Sequence, residues 1–123
     1  MAEMFASLTA TGWKFEDALK ETEKVIQKHS KTFYFATALL PASERRAIRA
    51  LYAFCRASDD LVDCENTQTE DFERWQFEVA LPAHKQSNPM LAAWAYVREH
   101  YGIDRRYEQD LLAGMRMDLQ FKP

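Results

Sequence analysis

The stretch Leu51-Tyr-Ala-Phe-Cys-Arg-Ala-Ser-Asp-Asp-Leu-Val-Asp63 decides how this chain is read. The spacing predicts that it is the second half of a helix beginning near Ser43, with Ser43 as N-cap and Glu44 in the first turn. Ile48, Tyr52 and Cys55 follow one another at steps of four and three, which keeps one apolar stripe toward the core. Extended by the same steps, the stripe meets Asp59 and then Val62 or Asp63. Carboxylates thus stand where buried apolar groups are expected, and burying an unpaired carboxylate costs roughly several kcal/mol. Asp59 and Asp63, one turn apart, repel by about 0.2–0.5 kcal/mol, and a helix C-terminus disfavours negative charge. All three costs point to a cationic partner.

Ligand chemistry narrows that partner. Two carboxylates one turn apart, with only Cys55 beside them as a softer group, suit Mg²⁺ rather than a transition metal, Mn²⁺ alone being admitted beside it. Such an ion keeps waters and completes its shell with phosphate oxygens. Arg56 lies near the same face, able to pair with a carboxylate at rest or to hold a phosphate. A solvated charged patch at a helix end is the commoner fate of an Asp pair, and spacing alone does not choose between the two.

The larger pattern does choose. His29-Ser-Lys-Thr-Phe33, then Arg45-Arg46, then Tyr52-Ala-Phe-Cys-Arg-Ala-Ser-Asp-Asp-Leu-Val-Asp63 resembles the squalene/phytoene synthase family in order and spacing. Gly114-Met-Arg-Met-Asp-Leu119 resembles a later family helix more weakly. The resemblance implies an all-α fold, the N-terminal part of an isoprenoid-synthase-type bundle with five or six helices. It also implies Mg²⁺-dependent, head-to-head condensation of two prenyl diphosphates through a cyclopropyl intermediate. Carried onto this sequence, it makes Asp59 and Asp63 the metal ligands, with Arg56 and Tyr52 catalytic beside them. His29 and Ser30 stand where relatives contact diphosphate, Phe33 where they line the prenyl channel, and Asp118 joins the substrate site. The wording of the motif lies closest to the bacterial carotenoid branch, which favours geranylgeranyl diphosphate as substrate and phytoene as product.

Composition bounds the rest. A chain of 123 residues is at most one domain, and 47% hydrophobic with 13% aromatic residues is a globular balance. A net charge of −3 without a Lys/Arg run excludes a general nucleic-acid footprint. The two cysteines, Cys55 and Cys64, lie nine apart on one expected helix and cannot easily meet, so free thiols in a reducing, cytoplasmic compartment are expected. No apolar run approaches membrane-spanning length. Peripheral contact with a membrane that holds long prenyl chains is left open.

From Phe15 the helix period is clean: Phe15, Ala18, Leu19, Thr22, Val25, Ile26 and His29 form one stripe, so His29 is expected to point inward. The first dozen residues read as a loose arm or a short helix. Pro41 closes an apolar stretch that starts at Lys31. Arg45 and Arg49 read as a solvated basic stripe, and the Tyr52 hydroxyl either reaches the site or simply packs. Thr69 is expected to cap a helix over Phe72, Trp75 and Val79. Asn88 with Pro89 starts another, which Gly102 ends. The last helix starts near Asp104 and carries Tyr107, Leu111, Gly114 or Met115, and Asp118 on one inward face. Gly114 is expected to admit a close approach there.

Relatives carry a second Asp-rich motif, absent from residues 1–123. The chain is therefore expected to be a single partial domain, inactive by itself, that needs a C-terminal portion or self-association to complete its site. Such a half-bundle is expected to expose Phe33, Phe54 or Leu111. The alternatives are a non-catalytic relative serving as a binding or assembly protein, and a small helical interaction module.

Overall fold

A computed structural model describes residues 13–64 and 66–120, with the side chains of residues 119 and 120 not described. The expected arm over the first dozen residues lies outside that range. Among the described residues the fold is all-α: α1 (Phe15–His29), α2 (Lys31–Ala38), α3 (Ala42–Asp63), α4 (Thr69–Val79), α5 (Pro89–Tyr101) and α6 (Arg105–Gln120), with one 3₁₀ turn at Ala83–Lys85.

Each boundary has a local cause. Acidic Glu16 and Asp17 open α1 and basic Lys28 and His29 close it, matching the helix dipole at both ends. Ser30 caps α2, its hydroxyl accepting the Phe33 N–H at 3.3 Å. The N-cap of α3 is Pro41, not Ser43, which sits inside the first turn with its hydroxyl against Tyr101. In the same way Gln68, not Thr69, caps α4, paired reciprocally with Asp71. Asn88 and Pro89 start α5 as expected, the Asn88 side chain accepting from Met90 and Leu91. Gly102 ends α5 at φ 62°, a left-handed conformation that glycine adopts without steric cost. Asp104 receives the Arg106 N–H at 2.8 Å as α6 begins.

The core forms where α1, α3 and α5 meet, with α6 laid on α3 and α4 bridging α3 and α6. Helix α5 is buried on most of its circumference (Leu91, Ala92, Ala93, Trp94, Ala95, Val97), and its alanines let neighbouring backbones come close. Phe54 stacks on Trp94 with ring centroids 5.4 Å apart. Phe54 and Phe72 are wholly enclosed, each such burial stabilising by about 1.5–3 kcal/mol.

Several expectations about faces are corrected here. The core side of α3 is Ala50, Ala53, Phe54, Ala57, Ser58 and Val62, not Ile48–Tyr52–Cys55. Ile48 is exposed, and Tyr52 and Cys55 are half-buried. Phe54 is not a surface left open. The last buried residue of α1 is Ile26, and His29 is exposed, one turn past the point where the stripe meets the core. On α6 the inward residues are Glu108 and Leu112, whereas Tyr107, Leu111, Gly114 and the site candidate Asp118 are exposed. A side chain at Gly114 would meet only open space, so no close approach occurs there.

Arg49 departs furthest from expectation. It is only 3% exposed, held by the buried network described below, whereas Arg45 is half-buried and donates to the Leu40 carbonyl at 3.3 Å. A second buried polar cluster ties α4, α5 and α6. Arg98 donates to Glu108 at 2.7 Å and to the Val79 and Leu81 carbonyls at 3.0 Å each. Gln86 adds bonds to the Glu78 and Leu81 carbonyls. The Val79 carbonyl at the end of α4 and the Leu81 carbonyl just beyond it, which lie past the reach of helix N–H donors, are satisfied this way.

Candidate functional site

Tyr52, Arg56, Asp59 and Asp63 follow at steps of four, three and four along α3. At 100° per residue they fall within an arc of about 60°, spread over about 16 Å of helix. This is the half-exposed side of α3, adjacent to its core face. Asp59 and Asp63 are both exposed, and Tyr52 and Arg56 are half-buried. The carboxylates therefore do not replace core residues. They project from a face they share with Tyr52 and Arg56.

The electrostatics still single out Asp59. Its carboxyl is held above the ordinary carboxylate range, first by partial removal from water and then by the charges of Asp63, Asp60 and Asp118, with Arg56 opposing. Asp118, on α6, is thereby near enough for its charge to be felt on α3. Burial and Asp59 also push the Cys55 thiol up, which keeps it protonated and unfit as a nucleophile.

Arg56 pairs at rest with Asp60, its Nε 3.2 Å from Oδ1. That nitrogen is shielded from water yet makes no aligned hydrogen bond, so the contact is ionic and leaves donor capacity for an incoming acceptor. Asp60 had no role in the sequence reading. Its position four residues after Arg56 is the signal that could have given it one.

Phe33 reaches this face through Tyr52: the two rings stack with centroids 4.6 Å apart and planes 26° from parallel. Ser30 spends its hydroxyl on the cap of α2. His29 stands exposed just before it, and no contact joins it to the aspartates. An apolar groove of about 570 Å³ runs between α3 and α5, lined by Leu40, Ile48, Leu51, Trp94, Tyr101 and Ile103. Phe33 is not part of its wall.

These residues fit a hard cation incompletely. Among the described residues no group of three His, Cys, Asp or Glu side chains could hold a metal ion. An ion that binds through one or two carboxylates and otherwise through water and phosphate oxygens, as Mg²⁺ does, needs no more than the Asp59–Asp63 pair from the protein.

The family profile of squalene/phytoene synthase matches residues 26–123. The chain belongs to that family. As a squalene/phytoene synthase family member it is 33% identical over 108 residues to a 15-cis-phytoene synthase of Synechocystis sp., covering 85% of this chain and 32% of the relative. To the phytoene synthase of Arthrospira platensis it is 31% identical over 107 residues, covering 84% and 35%. To the chloroplastic phytoene synthase of Narcissus pseudonarcissus it is 32% identical over 117 residues, covering 92% and 28%. The chain thus spans about a third of the length of the curated relatives it matches. The all-α architecture is that of the isoprenoid-synthase type. No helix among the described residues is long and apolar enough to cross a membrane.

Proposed function

We propose that this chain supplies the diphosphate- and metal-binding wall of a phytoene synthase-type prenyltransferase. The carrying observation is the alignment of Tyr52, Arg56, Asp59 and Asp63 on one face of α3 in a family member, with the Asp59 carboxyl held up first by partial removal from water and then by three neighbouring carboxylates. Asp59 and Asp63 are the Mg²⁺ ligands in this reading. The ion supplies charge neutralisation for a departing diphosphate, the principal electrostatic demand of prenyl ionisation. Arg56 leaves Asp60 to donate to a phosphate oxygen, and the Tyr52 hydroxyl lies one turn away to orient it. The stacked pair Phe33–Tyr52 gives an apolar flank to the first isoprene units. Ser30 and the neighbouring His29 are diphosphate contacts, and Asp118 faces the same substrate from α6.

Geranylgeranyl diphosphate is the favoured substrate and phytoene the favoured product, because the relatives named above are phytoene synthases. The apolar product calls for peripheral membrane contact from the cytoplasmic side. Two carboxylates do not make the full metal site of a head-to-head condensation. A further portion of the protein or a second copy is required, and the 123 residues alone should be inactive or nearly so.

The test is a product assay. The chain is incubated with Mg²⁺ and geranylgeranyl diphosphate, alone and with the C-terminal two thirds of a phytoene synthase relative, and the lipid extract is examined for a C40 hydrocarbon. The proposal expects product only in the combined reaction, and none when Asp59→Ala replaces the wild type. Equal product from wild type and Asp59→Ala would overturn it. The exposure of both aspartates also suits a helical interaction module, and that second reading expects no response to Mg²⁺ or diphosphate.

A further inference from the structure

Helix α2 has only eight residues, of which only Thr37 is buried, and an isolated helix of that length is not stable in water. It nevertheless carries Phe33, and its cap is Ser30. Something outside the helix must hold it in place, and the contacts identify one side chain. The buried guanidinium of Arg49 donates from Nε to Thr37 Oγ1 at 2.9 Å and from one terminal nitrogen to the Tyr34 carbonyl at 2.8 Å. Its other terminal nitrogen donates to Glu23 on α1. Its plane lies over the Tyr34 ring, 4.2 Å from the centroid. One arginine therefore joins α1, α2 and α3, and all of its acceptors on α2 lie within a single turn.

The consequence reaches the proposed site by a short route. Arg49 precedes Tyr52 by three residues on α3, and Thr37 and Tyr34 flank Phe33 by four residues and one residue on α2. The clamp at Arg49 and the stack of Phe33 on Tyr52 are neighbouring fastenings between the same two helices. We propose that Arg49 is a positioning residue: by clamping α2 to α1 and α3 it sets Phe33 against Tyr52 and fixes Ser30 for ligand binding. The ligand part of this statement rests on the diphosphate-binding function proposed above. The clamp itself does not.

Lysine cannot replace this arginine, because an ammonium could keep Glu23 but could not serve Thr37 and Tyr34 through a planar fork. The decisive measurement is hydrogen–deuterium exchange of the whole 123-residue chain, resolved by segment, on wild type, Arg49→Met, Arg49→Lys and Thr37→Val. Titration with inorganic diphosphate in Mg²⁺ accompanies it. Arg49→Met is expected to speed exchange in residues 31–38 by about tenfold or more, as local opening of a weakly held segment does, while residues 89–101 change little. Diphosphate affinity is expected to fall about tenfold, since every charge-assisted bond from Arg49 is lost. Arg49→Lys and Thr37→Val should give smaller effects confined to the same segment, and they decide the question if Arg49→Met does not fold.

A uniform rise in exchange across α1, α3 and α5, or no rise in α2, would overturn the clamp. Normal diphosphate affinity despite an opened α2 would overturn the positioning role while leaving the clamp. Absence of any diphosphate binding by the wild type would instead reject the functional reading on which the ligand part depends, and the exchange data would still decide the clamp.

Discussion

Glu108 of α6 is completely buried and receives Arg98 of α5 at 2.7 Å, with the Trp94 indole N–H on the same oxygen at 2.7 Å and Arg105 on the other at 3.1 Å. Both oxygens of the carboxylate are occupied by donors from two helices. The pair fixes the start of α6, and with it the path that brings Asp118 near Asp59.

Removing one member of a buried pair strands the other, and that cost exceeds what the intact pair contributes. Glu108→Ala is expected to destabilise the chain by about 3–5 kcal/mol, measured by urea unfolding. The loss should be insensitive to salt, because buried charges are little screened.

The raised Asp59 carboxyl sets a pH dependence. Its folded-state pKa lies above the ordinary 3.8, so the folded state binds the proton more tightly than the unfolded chain does. The associated stability is full below the ordinary value and is lost as pH rises through the raised one. Asp59→Asn should match wild type in acid and exceed it at neutral pH, in paired unfolding curves. The opposite ordering would mean that Asp59 is stabilised as an anion.

The Phe33–Tyr52 stack separates ring from hydroxyl. Tyr52→Phe should leave thermal stability nearly unchanged. Tyr52→Ala should lose the pair energy of about 0.5–1.5 kcal/mol in addition to the buried area.

Gly102 offers a backbone test free of packing. Nothing lies within 4 Å of an added Cβ there, yet φ is 62°. Gly102→Ala should therefore destabilise by about 1–2 kcal/mol from left-handed strain alone.

The helices were legible because their signals are local. The α1 stripe, the Asn88-Pro89 start and the Gly102 stop each depend on residues close in sequence. Which side of α3 meets the core was not legible, because two sides of that helix are apolar. One side carries Ile48, Leu51 and Tyr52, and the other carries Phe54 and Val62 among small residues. The alanines at positions 50, 53 and 57 take the core because Ala-rich α5 comes close enough to need small partners, a tertiary fact without a periodic signature. Arg49 was misread for the same reason: Glu23, Tyr34 and Thr37 meet it only after α1 and α2 fold back. The motif residues Tyr52, Arg56, Asp59 and Asp63 were correctly placed on one face, since that follows from helix geometry. Their exposure did not follow, because it depends on which face the core selects.

The central claim is that Asp59 and Asp63 bind a diphosphate through Mg²⁺. Calorimetric titration of the chain with inorganic diphosphate, with and without Mg²⁺, tests it most directly. The account predicts binding only with Mg²⁺, abolished in Asp59→Asn and Asp63→Asn while their circular dichroism stays helical. Binding that is independent of Mg²⁺, or unchanged in both variants, would contradict it.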